Sequence, residues 1–457
     1  MTEAPGYHLV SLGCSKNTVD SDSMGVLLEQ AGYRAVKRAH RAQVLIVNTC
    51  GFIGPAREES LRVLRELASG KKPGQLLIAA GCMTQRYGAE VARQVPGIDG
   101  ILGTRRWMDI LELLQRLRAG DRATERYHLP DDSPTVGRDE RGVLRASIRG
   151  ASAYLKIADG CRRPCAFCAI PMIKGTGVSR PLERLLEEAR ILQARGVHEI
   201  ILIAQDTTDY GRDFGWKDGL PRLLEAMLGE VPDVEWIRLM YAFPGAVADR
   251  LIEVFASHPR IVPYLDLPLQ HADPRVLRRM RRPSNLERVR LTIDRMRAAI
   301  PDLAIRTTFI VGYPGETEEE FQTLMDFLGE MRFDRVGSFI YSHEPGTESG
   351  GLEDSVPGEV KEERRARLME LQKSIGLERN QAWVGRTMMV LVEGRETRQN
   401  LAVGRSFRDA PEVDGLVLIE GQAPLNCLVP VQITGALPYD VVGQLASQAG
   451  ETPAPLG

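Results

Sequence analysis

Three cysteines in Cys161-Arg162-Arg163-Pro164-Cys165-Ala166-Phe167-Cys168 are spaced C-x-x-x-C-x-x-C, directly after the apolar run Tyr154–Ala158. Three thiolates on one short loop suit three irons of a cubane 4Fe–4S cluster and leave the fourth iron open for a further ligand. A zinc knuckle or three buried thiols are the alternatives. A structural zinc wants four protein ligands, and no fourth Cys or His lies within the loop. Three more cysteines, Cys14, Cys50 and Cys82, each end an apolar run: Tyr7–Gly13, Val44–Thr49 and Leu76–Gly81. Loops at the carboxyl ends of neighbouring parallel strands converge on one crevice, so these three thiols are expected to share a second metal site. The alternative is three separate small buried hydrophobes.

The elements that must position these residues follow from periodicity. The first three runs read as buried parallel strands, with helical patterns at Ser21–Ala31, Ala56–Ser69 and Ala89–Val95 after them. Such alternation predicts a doubly wound α/β domain over residues 5–119. A polar, charged stretch covers about Gly120–Gly150. Beyond it, strand-like runs occur at Ala153–Ala158, Glu199–Gln205, Glu235–Tyr241, Tyr264–Leu269, Ala304–Val311 and Arg335–Tyr341. Helical patterns separate them at Leu182–Arg195, Leu220–Gly229, Ala246–Ser257 and Asn285–Ala299. Six β-α units predict a partial (β/α)6 barrel over 147–378, with its active face at the strand carboxyl ends. A helix at about Lys361–Trp383 leads to short runs at Thr387–Val392, Leu401–Arg405, Leu416–Ile419 and Leu428–Thr434, which predict a small antiparallel β-barrel over 380–448. Cys427 falls in this alternating pattern and is expected to be buried and inert. The tail from Ala446 is expected to be disordered.

Composition narrows the class. With 59 basic and 61 acidic residues the net charge is −2, so no chain-wide field draws the protein to nucleic acid. No run of about 18 apolar residues predicts a membrane helix, and Met1-Thr2-Glu3-Ala4-Pro5 has neither a basic nor an apolar leader region. Seven cysteines without an export signal argue for reduced thiols and metal chemistry over disulfides, hence a cytoplasmic protein.

The Cys161–Cys168 loop resembles the signature of radical S-adenosylmethionine (SAM) enzymes. The segments Ser11–Asn17, Val47–Phe52 and Ala80–Cys82 resemble the amino-terminal domain of methylthiotransferases, and the resemblance runs over nearly the whole chain. It implies two 4Fe–4S clusters and SAM as cofactors. Cys161, Cys165 and Cys168 would hold the radical-generating cluster and act catalytically; Cys14, Cys50 and Cys82 would hold an auxiliary one. It also implies SAM contacts at Phe167, at Gln205 and Asp206 in Ala204–Thr208, and at Arg306 and Gly312 in Arg306–Thr317. Ordinary strand-to-helix turn chemistry is the alternative for each. Thr317 followed by Glu318–Glu320 is a good helix start. His271 is expected either to bond a substrate carboxylate or to be structural, and the run Arg275–Arg282 reads as a solvated basic helix face, with contact to RNA or an acidic surface as the alternative.

The carboxyl-terminal module resembles the TRAM domain, often an RNA binder. Over residues 380–457 five basic side chains accompany eight acidic ones, for a net −3. A nucleic-acid face should be basic, so nucleic-acid contact is not expected to be primary, and a basic protein suits this module better. Arg405–Gly415 resembles the element of the branch that modifies an aspartate of small-subunit ribosomal protein twelve, which is then the expected partner. An electron donor of the flavodoxin or ferredoxin kind is a further expected partner. The alternatives are a transfer RNA adenosine methylthiotransferase and a non-catalytic iron–sulfur scaffold.

Overall fold

The computed structural model of the chain describes residues 4–120, 126–129, 135–136 and 141–446; the tail beyond 446 lies outside the described residues. Strands β1 (Gly6–Ser11), β2 (Arg34–Ala35), β3 (Val44–Thr49), β4 (Leu76–Gly81), β5 (Gly100–Gly103) and β6 (Tyr127–His128) form a parallel sheet in the order β2-β1-β3-β4-β5-β6. Every residue of β3 and β4 is buried, because helices cover both faces, which is why these strands read as largely apolar runs. Their side chains alternate faces. Val44, Ile46, Leu76 and Ile78 join one core cluster, while Leu45, Val47, Leu77 and Ala79 join the other. The strand order reverses between β1 and β3, the place where doubly wound sheets open a crevice at their carboxyl edge.

The helices after β1 and β4 begin earlier than periodicity predicts, at Ser15 and at Cys82. Their first turns carry buried polar residues such as Asn17 and Thr84, which break the apolar pattern at the end nearest the cysteines.

The central sheet has β7 (Ala146–Arg149), β8 (Ser152–Lys156), β11 (Glu199–Ile203), β12 (Trp236–Leu239), β13 (Ile261–Asp266), β14 (Ala304–Val311) and β15 (Arg335–Ile340). A short antiparallel pair, β9 (Ala158–Asp159) and β10 (Val178–Ser179), brackets the second cysteine loop. Six of the seven strands run parallel, as an open barrel requires, and β7 adds an antiparallel edge to β8. The polar stretch at Gly120–Gly150 therefore contains the short strands β6 and β7. The four residues Ala146–Arg149 carry too little apolar signal to be seen as a strand. The helix Glu318–Met331 starts as expected: the Glu320 N–H donates to Thr317 Oγ1 (3.2 Å), and the Thr317 N–H donates to Glu320 Oε2 (3.0 Å).

After the helix Gly358–Gln381, strands β16 (Thr387–Glu396), β17 (Leu401–Ser406), β18 (Val417–Glu420), β19 (Leu428–Ala436) and β20 (Val441–Leu445) close a barrel in the order β16-β17-β18-β20-β19. It departs from the expected all-antiparallel barrel at one seam, where β18 and β20 pair in parallel. Cys427 follows a turn just ahead of β19, partly exposed, and is not a strand residue. The connection from Ser406 to Gly415 leaves the small barrel and seats against the amino ends of the central strands. Arg238 Nη1 donates to the Phe407 carbonyl (2.7 Å), Tyr264 Oη donates to Asp414 Oδ2 (2.6 Å), and Arg405 pairs with Glu199 (2.6 Å). No helix among the described residues is long and apolar enough to cross a membrane.

Candidate functional site

Cys14, Cys50 and Cys82 follow β1, β3 and β4, each at or near the start of the next helix. Side-chain hydrogen bonds fix these loops to one another. Asn17 Nδ2 donates to the Leu12 and Asn48 carbonyls (2.6 and 3.2 Å), and Asn48 Nδ2 donates to the Asn17 carbonyl (2.9 Å). Thr49 Oγ1 donates to the Ala80 carbonyl (2.5 Å), tying the Cys50 loop to the Cys82 loop. Close approach also needs a missing side chain. At Gly13, with φ +92°, a Cβ would lie 2.8 Å from the Cys50 Cβ and 2.9 Å from its Sγ.

The loop Cys161–Cys168 emerges past β9. The Cys161 N–H donates to the Gly175 carbonyl (3.1 Å), and the Ala166 N–H donates to the Met280 carbonyl (3.0 Å). Gly160 makes the turn at φ +76°, where a Cβ would strike the Thr176 carbonyl oxygen. Arg163 Nε donates to Asp206 Oδ2 (2.6 Å), and its guanidinium stacks 4.0 Å above the Phe243 ring. Arg282, expected on a solvated face, instead turns inward. Its Nη1 donates towards Cys165 Sγ (3.6 Å), and its guanidinium covers Phe243 from 4.4 Å.

Both trios line one cavity of about 340 Å³, a volume within the range of small-molecule sites. Phe167, Gln205 and Asp206 also line it, where SAM contact was expected, together with Lys16, Phe52, Lys174, Tyr241 and Gln270. Arg306 and Gly312 are not among its lining residues. The Arg306 guanidinium pairs with Asp266 (3.0 Å) and Asp414 (3.3 Å). The Gly312 N–H donates to Glu316 Oε2 (2.9 Å), and a Cβ there would run into Lys361. His271 is structural: it is fully buried, its Nδ1 accepts the Asp273 N–H (2.9 Å), and its Nε2 faces the Glu316 carboxylate at 3.5 Å.

The donor set fits iron–sulfur groups of cubane size. All six cysteines are free of disulfides. Burial pushes the Cys161 thiol up to about 11 and the Cys82 and Cys168 thiols to about 12, and it raises Cys50 as well. A strongly positive ligand is what would hold these sulfurs as thiolates. Among the described residues no three thiols lie within 4.8 Å of one another, whereas a single tetrahedral zinc would draw its sulfurs to about 3.8 Å apart. Gln205 Oε1 is buried against the cavity without a hydrogen-bond partner, an acceptor with room for a ligand donor. Tyr241 and Gln270 hold positive φ values of +62° and +77° at the cavity wall, the kind of backbone strain that persists where the surroundings impose it.

Behind Cys82 lies a buried ion cluster. Asp20 and Asp159 face Lys156, Lys174 and Arg145, with Lys174 Nζ 2.8 Å from Asp20 Oδ2 and Arg145 Nη2 2.5 Å from Asp20 Oδ1. Two carboxylates against three cations leave one net positive charge beside the trio. Burial alone would raise the Asp20 carboxyl, but the two lysines and the arginine outweigh it and hold it below its ordinary range. Sequence reading missed this cluster and the asparagine braces; the polar Asn48 inside Val44–Thr49 was the one visible sign.

The central region matches the radical SAM superfamily over residues 155–328, the amino-terminal region matches the uncharacterized protein family UPF0004 over 6–103, and the TRAM domain matches over 384–446. The solved structure of the radical SAM methyltransferase TsrM from Kitasatospora setae superposes with a TM-score of 0.55 at 14% identity, covering 76% of this chain and 77% of that one. That likeness establishes the fold of the central part. A protein named ribosomal protein uS12 methylthiotransferase RimO, from Chloroflexus aurantiacus, is 50% identical over 96% of this chain and 100% of its own length. Proteins of the same name from Roseiflexus sp. (strain RS-1) and Heliobacterium modesticaldum are 48% and 45% identical, covering 96% and 97% of this chain and 97% and 96% of theirs. With two cysteine trios facing one cavity and identity at this level from end to end, the chain belongs to the uS12 methylthiotransferase family of radical SAM enzymes.

Proposed function

We propose that this enzyme places a methylthio group on the β-carbon of an aspartate in ribosomal protein uS12, with both cysteine trios serving one cavity. The observation that carries this reading is that cavity: Cys14, Cys50 and Cys82 from one domain and Cys161, Cys165 and Cys168 from another open onto the same space. Bound there, two 4Fe–4S clusters and SAM would supply the radical that takes hydrogen from an unactivated carbon and the sulfur that replaces it.

The chain's own residues do the positioning. Cys161, Cys165 and Cys168 would hold the cluster that meets SAM, and Cys14, Cys50 and Cys82 the cluster that carries the sulfur. Gln205 Oε1 offers an acceptor to SAM, and Arg163 fixes the Asp206 carboxylate beside it. Phe52, Phe167 and Phe243 line the same cavity, and their apolar rings would disfavour water beside a reactive intermediate.

The small barrel favours a protein substrate over RNA. Arg405 and Arg408 are buried in ion pairs, and of its exposed arginines Arg386 pairs with Asp302 at 2.7 Å. Little positive charge is left for phosphates. A ribosomal substrate places the reaction in the cytoplasm, and the reducing electron would come from a flavodoxin- or ferredoxin-type partner.

Anaerobic turnover of the reconstituted chain with SAM, a reductant and a uS12 peptide tests the reading. The expected product is the peptide with one hydrogen replaced by a methylthio group. Cys161→Ala should abolish 5′-deoxyadenosine release, whereas Cys82→Ala should retain it and lose methylthiolation. Modification of transfer RNA adenosine instead of the peptide would overturn the substrate assignment, and no 5′-deoxyadenosine from the intact chain would leave a scaffold.

A further inference from the structure

Four cationic side chains line the cavity: Lys16, Arg163, Lys174 and Arg282. Three are engaged by the fold. Arg163 pairs with Asp206, Lys174 with Asp20 and Asp159, and Arg282 donates to the Pro268 carbonyl and towards Cys165 Sγ. Lys16 differs. Among the described residues no carboxylate or carbonyl accepts from its ammonium, which sits 3.1 Å above the centroid of the Tyr241 ring. A ring face holds a cation in place without using up its N–H donors.

That ring is itself fixed. Tyr241 Oη lies 3.4 Å from Ser15 Oγ, and the Tyr241 N–H donates to Asp266 Oδ2 at 3.2 Å, with the residue in the left-handed region at φ +62°. Lys16 lies two residues after Cys14 in the first turn of the helix Ser15–Gln30. The ammonium is thus presented into the cavity beside the trio assigned to the auxiliary cluster.

We propose that Lys16, held over Tyr241, receives the side-chain carboxylate of the substrate aspartate and so sets its β-carbon against the auxiliary trio. The inference deepens the function proposed above and rests on it. An aspartate's β-carbon is bonded directly to its carboxylate carbon, so anchoring the two oxygens fixes the reacting carbon to within one bond. Most of the cavity's wall area is apolar, and a carboxylate entering it needs a cation in place to offset its lost hydration. Asparagine, of nearly the same shape, would turn an amide NH2 or a neutral oxygen to the ammonium. A site built around one charged contact rejects such an isostere strongly.

Binding of labelled uS12 peptides with Asp or Asn at the target position to the full-length reconstituted enzyme tests this, alongside methylthiolation of the Asp peptide. The wild-type enzyme is expected to bind the Asp peptide roughly 30-fold more tightly than the Asn peptide, since losing one partner of a desolvated charge pair costs about that much or more. Lys16→Met should erase the difference by weakening the Asp peptide alone, and Lys16→Arg should restore part of it. Equal binding of both peptides by the wild type overturns the inference, and that comparison needs no variant to fold. An undiminished Asp preference in Lys16→Met also overturns it, as does loss of SAM affinity with the preference intact, which would assign the ammonium to SAM. If the wild type methylthiolates the Asp peptide in any of these cases, the function stands and only the role of Lys16 falls. If it cleaves SAM yet never modifies the peptide, the function falls.

Discussion

Lys174 and Asp20, 154 residues apart in the chain, meet at 2.8 Å in a fully buried ion pair. Asp20 belongs to the first helix of the amino-terminal domain and Lys174 to the short helix after the second cysteine loop. The contact therefore joins the two domains at the cavity wall, and it fixes how one cysteine trio faces the other.

Removing one member of this cluster leaves buried charge uncompensated. Asp20→Asn would strand Lys156, Lys174 and Arg145 around Asp159 alone, and we expect a loss of about 3–5 kcal/mol. Denaturant unfolding of the iron-loaded protein checks this. A loss under about 1 kcal/mol would mean that water reaches the cluster.

Glu199 predicts an acid-sensitive seam between the central barrel and the carboxyl-terminal module. Burial alone would raise its carboxyl, but the Arg405 and Arg238 guanidinium groups bring it down from 4.5 to about 2. A depressed carboxyl stabilises the folded state fully above its unfolded value and loses that contribution as pH falls through the folded one. Stability from this seam should therefore hold above pH 4.5 and fade towards about 2. Unfolding midpoints against pH for the wild type and Glu199→Gln should converge across that window.

Gly13→Ala should cost the auxiliary site and spare the other. The new Cβ would lie 2.8 Å from the Cys50 Cβ in a backbone conformation that disfavours alanine. Iron and sulfide after anaerobic reconstitution should fall by roughly half, since each trio suits one cubane. SAM cleavage should survive while methylthiolation is lost.

Arg282→Met should make the radical-generating centre harder to reduce. A guanidinium donor 3.6 Å from Cys165 Sγ favours the state with more negative charge on sulfur. Its removal should shift the midpoint by about tens of millivolts in the negative direction, because about 1.4 kcal/mol moves a one-electron couple by about 59 mV. A redox titration followed by paramagnetic resonance reads the shift without turnover.

Strand Val44–Thr49 could be read from the sequence to the residue because burial on both faces writes a largely apolar run, and Ala304–Val311 because apolar residues flank its polar centre Arg306-Thr307-Thr308. The trios were legible for a different reason: a cysteine repeated at successive strand carboxyl ends, and three within one short loop, each bring thiols to one place. What escaped was charge. Asp20, Lys156, Asp159 and Lys174 look like ordinary solvated residues until tertiary contacts pair them, and Lys16 stands out only when its neighbours in the cavity are seen to be engaged. Arg282 was hidden in the run Arg275–Arg282, because spacing alone does not tell which arginine of a short helix turns inward. Strand β7 escaped because Ala146-Ser147-Ile148-Arg149 holds a single large apolar side chain, and β20 because Val441-Val442-Gly443-Gln444-Leu445 does not alternate.

The stretch from Ser406 to Gly415 makes the carboxyl-terminal barrel a stopper for the underside of the catalytic one. Grafting that module from a relative would bring a plug cut for another socket, unless Glu199, Arg238, Tyr264 and Arg306 were recut with it. Deleting it would uncork the reaction vessel from below and expose those four polar side chains to solvent.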